Sequence, residues 1–254
     1  MLFLVLFGVS VALVIRSHDY HKSQFFSSAN FIFGSVHKLF SGIGNYFDLK
    51  EQNAILLKEN NRLKELELNL LPLDNLVTKN DTKYKLTTAR VIKNSYKFEQ
   101  NYITIDKGKS HNIKEEFGVI TTKGIVGIID KTSNNYARVV SLLNTKSKIN
   151  AKLKKSNHFG TLEWNGIDPK IVQLYDIQDL VNFSIGDTIV TSGYSLIFPE
   201  NIPIGKVASY RLNDTKDLYI IDVKIFNDMS NLKHVHVIEN LDFNELESLN
   251  SEDE

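Results

Sequence analysis

Hydrophobic positions follow three successive periods along this chain. Residues 1–15 (MLFLVLFGVSVALVI) are an almost unbroken apolar run with no charge. Residues 46–70 turn to a 3,4 spacing, and from Leu86 onward short β-branched runs alternate with turn residues. The first period predicts a membrane helix, the second an amphipathic self-pairing helix, and the third a β-rich head.

Fifteen helical residues rise about 22 Å against a hydrocarbon core of about 30 Å, so the first run is short for a span. Arg16, Ser17 and His18 extend it into the headgroup layer, with Arg16 snorkelling. A cleaved signal peptide would need a basic start and a small-x-small site after the apolar run. Val14-Ile15-Arg16-Ser17-His18 lacks that site, so residues 1–16 are read as an uncleaved anchor. Residues 17–45 read as a juxtamembrane amphipathic segment, bent by Gly34, Gly42 and Gly44.

The coiled-coil segment, residues 46–72, places Tyr46, Leu49, Asn53, Leu56, Asn60, Leu63, Glu67 and Leu70 on one seam. Leucine fills every d position (Leu49, Leu56, Leu63, Leu70), which favours a parallel dimer. Asn53 and Asn60 at a positions cost stability and fix register. Pro72 stops the helix. The competing reading is a lone amphipathic helix packed on the head.

Twelve strands are predicted at residues 86–93, 101–106, 118–121, 125–130, 137–143, 149–153, 160–164, 171–175, 188–191, 205–209, 219–226 and 235–238. Asp-Lys-Gly 106–108, Thr-Lys-Gly 122–124, Asn-Gly 165–166 and Ile-Gly-Asp 185–187 mark turns between them. The spacing argues for small barrels or sandwiches. A working division places one β-barrel domain at 84–145, with closing strands from 205–240 left open, and a second at 146–240. The fold class is mainly β with an N-terminal helix: anchor, coiled coil, then two small β-barrels.

Composition changes this picture little. Cysteine is absent, which removes disulfides and Cys-based metal sites. Lys+Arg and Asp+Glu both number 30, but residues 241–254 hold six acids and no base, leaving +6 on the rest. That tail reads as disordered and acidic. The remaining charge is dispersed, so no nucleic-acid footprint is present.

Candidate chemistry is sparse. Ser192, Asp187, His111 and His158 supply the letters of a hydrolytic triad, but no glycine-rich loop accompanies Ser192 to shape an oxyanion hole. Gly186-Asp187 reads more simply as a turn with Asp187 capping amides, and Thr191-Ser192-Gly193 as a tight turn at a strand end. His234 and His236 share a strand face without a third metal ligand nearby. His18 and His21 read as interfacial. Trp164 reads as a half-buried hairpin anchor, or as an exposed contact residue. No catalytic residue, cofactor site or metal site is assigned.

Two passages are more specific. One is Gly118-Val-Ile-Thr-Thr-Lys-Gly124-Ile-Val-Gly127 followed by Ala137-Arg-Val-Val-Ser-Leu-Leu143. The other is Gly186-Asp187-Thr-Ile-Val-Thr191-Ser192-Gly193, followed by Phe198-Pro199 and Ile202-Pro-Ile-Gly205-Lys-Val207. In this order, behind an anchor and a heptad, they resemble the rod shape-determining MreC family. The resemblance implies a single-pass protein of the bacterial inner membrane with a periplasmic double-barrel head. It implies a structural role in peptidoglycan elongation, linking MreB, through MreD and RodA, to a class B penicillin-binding transpeptidase. The implied mechanism is conformational: the head favours the active arrangement of its partner. In this reading Gly124, Gly127, Gly186, Asp187, Thr191, Ser192, Gly193, Pro199 and Gly205 maintain barrel geometry.

Three functions compete. The leading expectation is a non-enzymatic, self-associating scaffold of wall elongation. A periplasmic membrane-fusion or secretion adaptor also combines anchor, coiled coil and barrels, but typically brackets a helical hairpin with a split β domain. A tethered hydrolase is the third, and it would lose activity on substitution of Ser192 by Ala.

Overall fold

The computed structural model describes residues 2–17, 51–69, 83–215 and 217–251. The chain divides into two compact units, Met1–Leu57 and Lys58–Glu254. In the first, α1 (Leu2–Ser17) is a 16-residue helix. No helix among the described residues is long and apolar enough to cross a membrane. Sixteen residues rise about 24 Å, short of the roughly 20 residues a span usually takes. Residues 51–69 form a second helix, α2. Its exposed flank carries Arg62–Glu59 and Lys64–Glu67 pairs at 2.7 and 2.8 Å, each three residues apart. Leu49, Leu70, His18, His21 and the juxtamembrane segment after Ser17 lie outside the described residues.

The head holds twelve strands among its described residues: β1 (Tyr84–Asn94), β2 (Gln100–Ile105), β3 (Gly118–Thr121), β4 (Gly124–Thr132), β5 (Ala137–Asn144), β6 (Ile149–Leu153), β7 (Phe159–Glu163), β8 (Ile171–Gln178), β9 (Thr188–Thr191), β10 (Pro203–Leu212), β11 (Leu218–Ile225) and β12 (His234–Asn240). They close into two six-stranded barrels. The first runs β1-β12-β3-β4-β5-β2, and the second β10-β11-β8-β7-β6-β9. Barrel 2 is therefore a continuous stretch of sequence, inserted before the last strand of barrel 1. β12 returns antiparallel to β1 over seven residue pairs, from Tyr84 opposite Asn240 to Arg90 opposite His234.

Alternation along the strands fills both interiors. Ile103, Ile105, Val119, Ile120, Val139 and Val235 are fully buried in barrel 1, and Ala151, Leu162, Val172, Leu174, Ile189 and Ile221 in barrel 2. Closure pairs the edges that an open sheet of this size would expose, except along the N-terminal half of β1.

The barrels touch along the β3–β4 hairpin and the segment leaving β11. Gly124, at φ +149°, sits so close to the Pro203 carbonyl that a Cβ there would overlap its oxygen. A Cβ on Gly118 would lie 2.6 Å from the Phe198 ring. Asn227 fixes the same seam: its Nδ2 donates to the carbonyls of Gly124 at 3.0 Å and Ile125 at 2.7 Å. Its Oδ1 accepts from Thr121 Oγ1 at 2.5 Å. Asn240 Nδ2 donates to the Leu196 carbonyl at 2.9 Å, tying β12 to the loop after β9.

After β12 the chain forms a third helix, α3 (Phe243–Ser251), where the composition suggests a disordered tail. The difference has a local cause. Asn240 Oδ1 accepts from Asp242 N–H at 3.1 Å and Leu241 N–H donates to the Lys83 carbonyl at 2.9 Å, so the entry is fixed. Glu245 then lies in the first turn, where the helix dipole favours a negative charge.

Candidate partner-binding surfaces

The motif residues are occupied by structural work. Gly186 adopts φ +92°, and its N–H donates to the Val207 carbonyl at 2.8 Å. Asp187 Oδ2 accepts from Ser184 N–H at 3.0 Å and Oδ1 from the Lys155 ammonium at 2.5 Å. Those two donors hold the Asp187 carboxyl below the usual carboxylate range, the lysine contributing most. Thr191 Oγ1 donates to the Pro199 carbonyl at 2.5 Å and accepts from Ile202 N–H at 2.9 Å, bracing the turn between β9 and β10. Gly193 takes φ +81° against Glu200. Gly127 and Gly205 lie against the carbonyls of Val140 and Lys224, where a Cβ would intrude.

No triad is assembled from the letters noted in the sequence. Ser192 Oγ accepts from Tyr194 N–H at 3.2 Å, Asp187 is engaged by Lys155, and His111 Nδ1 faces Ser110 Oγ at 3.0 Å. Among the described residues, no hydrogen bond joins Ser192, Asp187 and a histidine. Trp164 is neither half-buried nor exposed: it is 3 % exposed, and its Nε1 donates to the Asp168 carbonyl at 2.9 Å. The residues after Asn165-Gly166 fold back over the indole, so it serves as core.

The two β12 histidines have different fates. His234 is exposed, whereas His236 is 5 % exposed beneath α2. Its Nδ1 lies 2.9 Å from Asn61 Oδ1 and 3.2 Å from Thr88 Oγ1. Asn61 Nδ2 donates to the Leu86 carbonyl at 3.0 Å, so its Oδ1 is the acceptor and His236 Nδ1 carries the proton. No group of three or more metal-capable side chains occurs among the described residues.

Asn61 belongs to a polar row on α2 at four-residue spacing, with Glu65 and Asn69. β1 pairs with β2 only from Val91, so its N-terminal half has an unpaired edge on the side away from β12. The row covers it. Asn69 Oδ1 accepts from the N–H groups of Lys83 and Tyr84, both at 2.9 Å, and its Nδ2 donates to the Tyr84 carbonyl at 2.9 Å. Glu65 accepts from Leu86 N–H at 3.3 Å. Leu68 is buried beside them. Three helix side chains thus replace a neighbouring strand. The seam leucines Leu56 and Leu63 remain 67 % and 53 % exposed. The sequence offers a leucine seam or a lone helix packed on the head; what it does not show is that the head-facing side is polar, because Asn, Glu and Asn at i, i+4, i+8 look like a solvated stripe.

Exposed apolar surface on the head gathers on barrel 2. Phe183, Tyr210 and Tyr219 form a mutual edge-to-face cluster, with ring centroids 4.9, 5.2 and 5.5 Å apart. Tyr210 is 47 % exposed; Leu212, opposite Tyr219 in register, and Leu180, in the loop that carries Phe183, are also exposed. Rigid aromatic clusters with exposed aliphatic neighbours are the composition of protein-contact surfaces.

These features define a tandem β-barrel head whose leading helix offers one face to the head and one to solvent. The sequence profile described as "Rod shape-determining protein MreC, barrel core" matches residues 91–239. The cell shape-determining protein MreC of Listeria monocytogenes is 30% identical over 193 residues, which are 75% of this chain and 63% of that relative's length. A solved MreC from Listeria monocytogenes shares the fold at a TM-score of 0.58 and 28% identity, covering 78% of this chain and 92% of that one. An MreC solved in a complex with the penicillin-binding protein PBP2 from Helicobacter pylori shares it at 0.50 and 16% identity, over 62% of this chain and 99% of that one. The chain belongs to the MreC family of cell shape-determining proteins.

Proposed function

We propose that this chain is a scaffold of the bacterial cell-wall elongation machinery, acting by binding rather than by catalysis. Membership of a cell shape-determining family, on a double-barrel fold, carries the reading. Residues 1–16 anchor it in the cytoplasmic membrane, and the head works outside the cytoplasm. The seam of Leu49, Asn53, Leu56, Asn60, Leu63 and Leu70 pairs two copies. Support for that pairing comes from α2, which holds barrel 1 with Asn61, Glu65 and Asn69 while Leu56 and Leu63 stay exposed.

The proposed partner is a class B penicillin-binding transpeptidase, with MreD, RodA and, indirectly, MreB in the same assembly. The complex formed by the Helicobacter pylori relative supports the choice of partner class. The cluster of Phe183, Tyr210 and Tyr219 is the proposed contact, because it sets an exposed ring on two half-buried ones. Binding would shift the transpeptidase toward its active arrangement in proportion to the difference in affinity for its two states.

The test is depletion in the native host with imaging of cell width and of new wall insertion. Rods that widen to spheres with delocalised insertion are expected. Unchanged shape with a transport defect would instead point to an adaptor.

A further inference from the structure

Barrel 2 carries a groove that the scaffold reading does not use. It is lined by residues of β6, β7, β8 and the β6–β7 loop, has a volume of about 390 Å³ and is open to solvent. A bulge makes it. β8 carries Tyr175 and Asp176 where β11 carries only Ile220, with Asp176 at φ +68°. Pairing of β7 with β8 therefore ends at Thr161 opposite Tyr175, and the strands part beyond it. Gly160 allows this, since a Cβ there would overlap the Tyr175 carbonyl.

The lining is unusual in its polar groups. Asn150, Ser156, His158, Thr161, Asp176 and Gln178 all line the groove. Among the described residues none of these side chains has a hydrogen-bond partner, and Ser156 Oγ is buried without one. Side chains that converge on one concavity with unused donors and acceptors suit a ligand that supplies both. Beside them Phe159 is 56 % exposed, held edge to face by Tyr194 at a centroid distance of 5.0 Å. An exposed ring fixed in this way offers its face to C–H groups.

The chemistry narrows the ligand. Among the described residues no Lys or Arg lines the groove, and Asp176 does, so an anion is disfavoured. An added peptide strand needs a run of free backbone groups along an edge. Here the facing edges freed where β7 and β8 part are only Phe159–Gly160 and Asp176–Gln178, two or three residues each, because the other edges pair with β6 and β11. A compact metabolite would be mostly enclosed, whereas this groove is half open. Planar amides, a carboxylate, hydroxyls and an aromatic platform along an open groove fit an uncharged chain rich in hydroxyl and acetamido groups.

We propose that this groove is a glycan-binding site, with Phe159 stacking on a sugar ring and Asn150, Asp176 and Gln178 hydrogen-bonding its hydroxyl and acetamido groups. The site is separate from the Phe183–Tyr210–Tyr219 cluster, so its failure would leave the scaffold reading intact.

The experiment is isothermal titration calorimetry of the full chain, in a detergent without a sugar headgroup, with chitotetraose as probe. Saturable binding is expected, weakened about tenfold or more in Phe159→Ala and in Gln178→Ala. Phe98→Ala, an exposed ring on barrel 1, should bind as the parent does, and thermal midpoints should stay level across the set. Absence of saturable binding would overturn the proposal. So would binding that both groove variants retain, or a preference for an uncharged tetrapeptide over the tetrasaccharide.

Discussion

The two barrels share strand number and closure but differ in how the chain makes them. Barrel 2 closes from residues contiguous in sequence, β6 to β11. Barrel 1 must wait for β12, which arrives after all of barrel 2. Their outer surfaces differ as well. Barrel 1 spends its open edge on α2 through Asn61, Glu65 and Asn69. Barrel 2 keeps exposed rings at Phe159, Tyr194 and Tyr210 and the bulged groove. Under the proposed function, support falls to barrel 1 and recognition to barrel 2.

The largest effect should come from removing residues 234–254. Loss of β12 reopens barrel 1 along both β1 and β3. Native-state hydrogen exchange should then find amides of β1 to β5 stripped of protection while those of β6 to β11 keep it. Equal loss in both barrels would mean that barrel 2 does not close by itself, and the contrast in connectivity would have no energetic content.

Next comes the seam between them. Gly124→Ala places a side chain in a backbone region almost reserved for glycine and drives its Cβ into the Pro203 carbonyl. A loss of about 3 kcal/mol is expected by chemical denaturation, from strain and overlap together. Replacement of Gly186, also at positive φ but with open space around it, should cost less, about 1 kcal/mol. The pair separates backbone strain from contact between barrels.

On barrel 1 alone, Asn69→Ala removes the acceptor for two strand N–H groups and the donor to one carbonyl. The expected cost is about 1–2 kcal/mol, because the freed β1 groups are partly reached by water. Exchange should quicken at Lys83, Tyr84 and Leu86 and stay unchanged throughout barrel 2. A spread into barrel 2 would show that the edge cap supports the whole head.

Strand positions were legible because β-branched runs between turn residues have a physical cause that is local. All twelve predicted runs overlap the observed strands, and residues 118–121, 149–153 and 188–191 coincide with them. What local pattern does not carry is pairing. A period of two shows that His234 and His236 share a face, but not that α2 covers one and leaves the other exposed. The same limit hid Trp164, which is buried by its own following loop through Asp168. The acidic ending read as disorder because charge density outweighed the helix-forming letters Phe-Asn-Glu-Leu-Glu-Ser-Leu. The groove was invisible for another reason. Its lining comes from residue 150, residues 156–161 and residues 176–178, and it opens at a bulge that no spacing rule marks.

The smallest expected effect concerns pH and falls on barrel 1 alone. His236 lies beneath α2, and burial is the main cause that lowers its pKa from the usual 6.5; Lys64 on α2 and His234 on the same strand push the same way. Well above pH 6.5 the imidazole is neutral folded and unfolded, and it adds no pH dependence. Below that, the unfolded chain takes up the proton first, so stability falls as pH falls until the folded pKa is passed. The loss should localise where the proton intrudes, at the Asn61–His236–Thr88 contact between α2 and barrel 1. Hydrogen exchange at β1 residues Tyr84 to Thr88 should therefore quicken between pH 7 and 5 more than exchange in barrel 2, after allowance for the intrinsic rate. His236→Asn, whose amide nitrogen takes the place of Nδ1 as donor to Asn61 and cannot titrate, should flatten that difference. An acid response of equal size in both barrels, or one that survives His236→Asn, would show that the buried imidazole is not what distinguishes them.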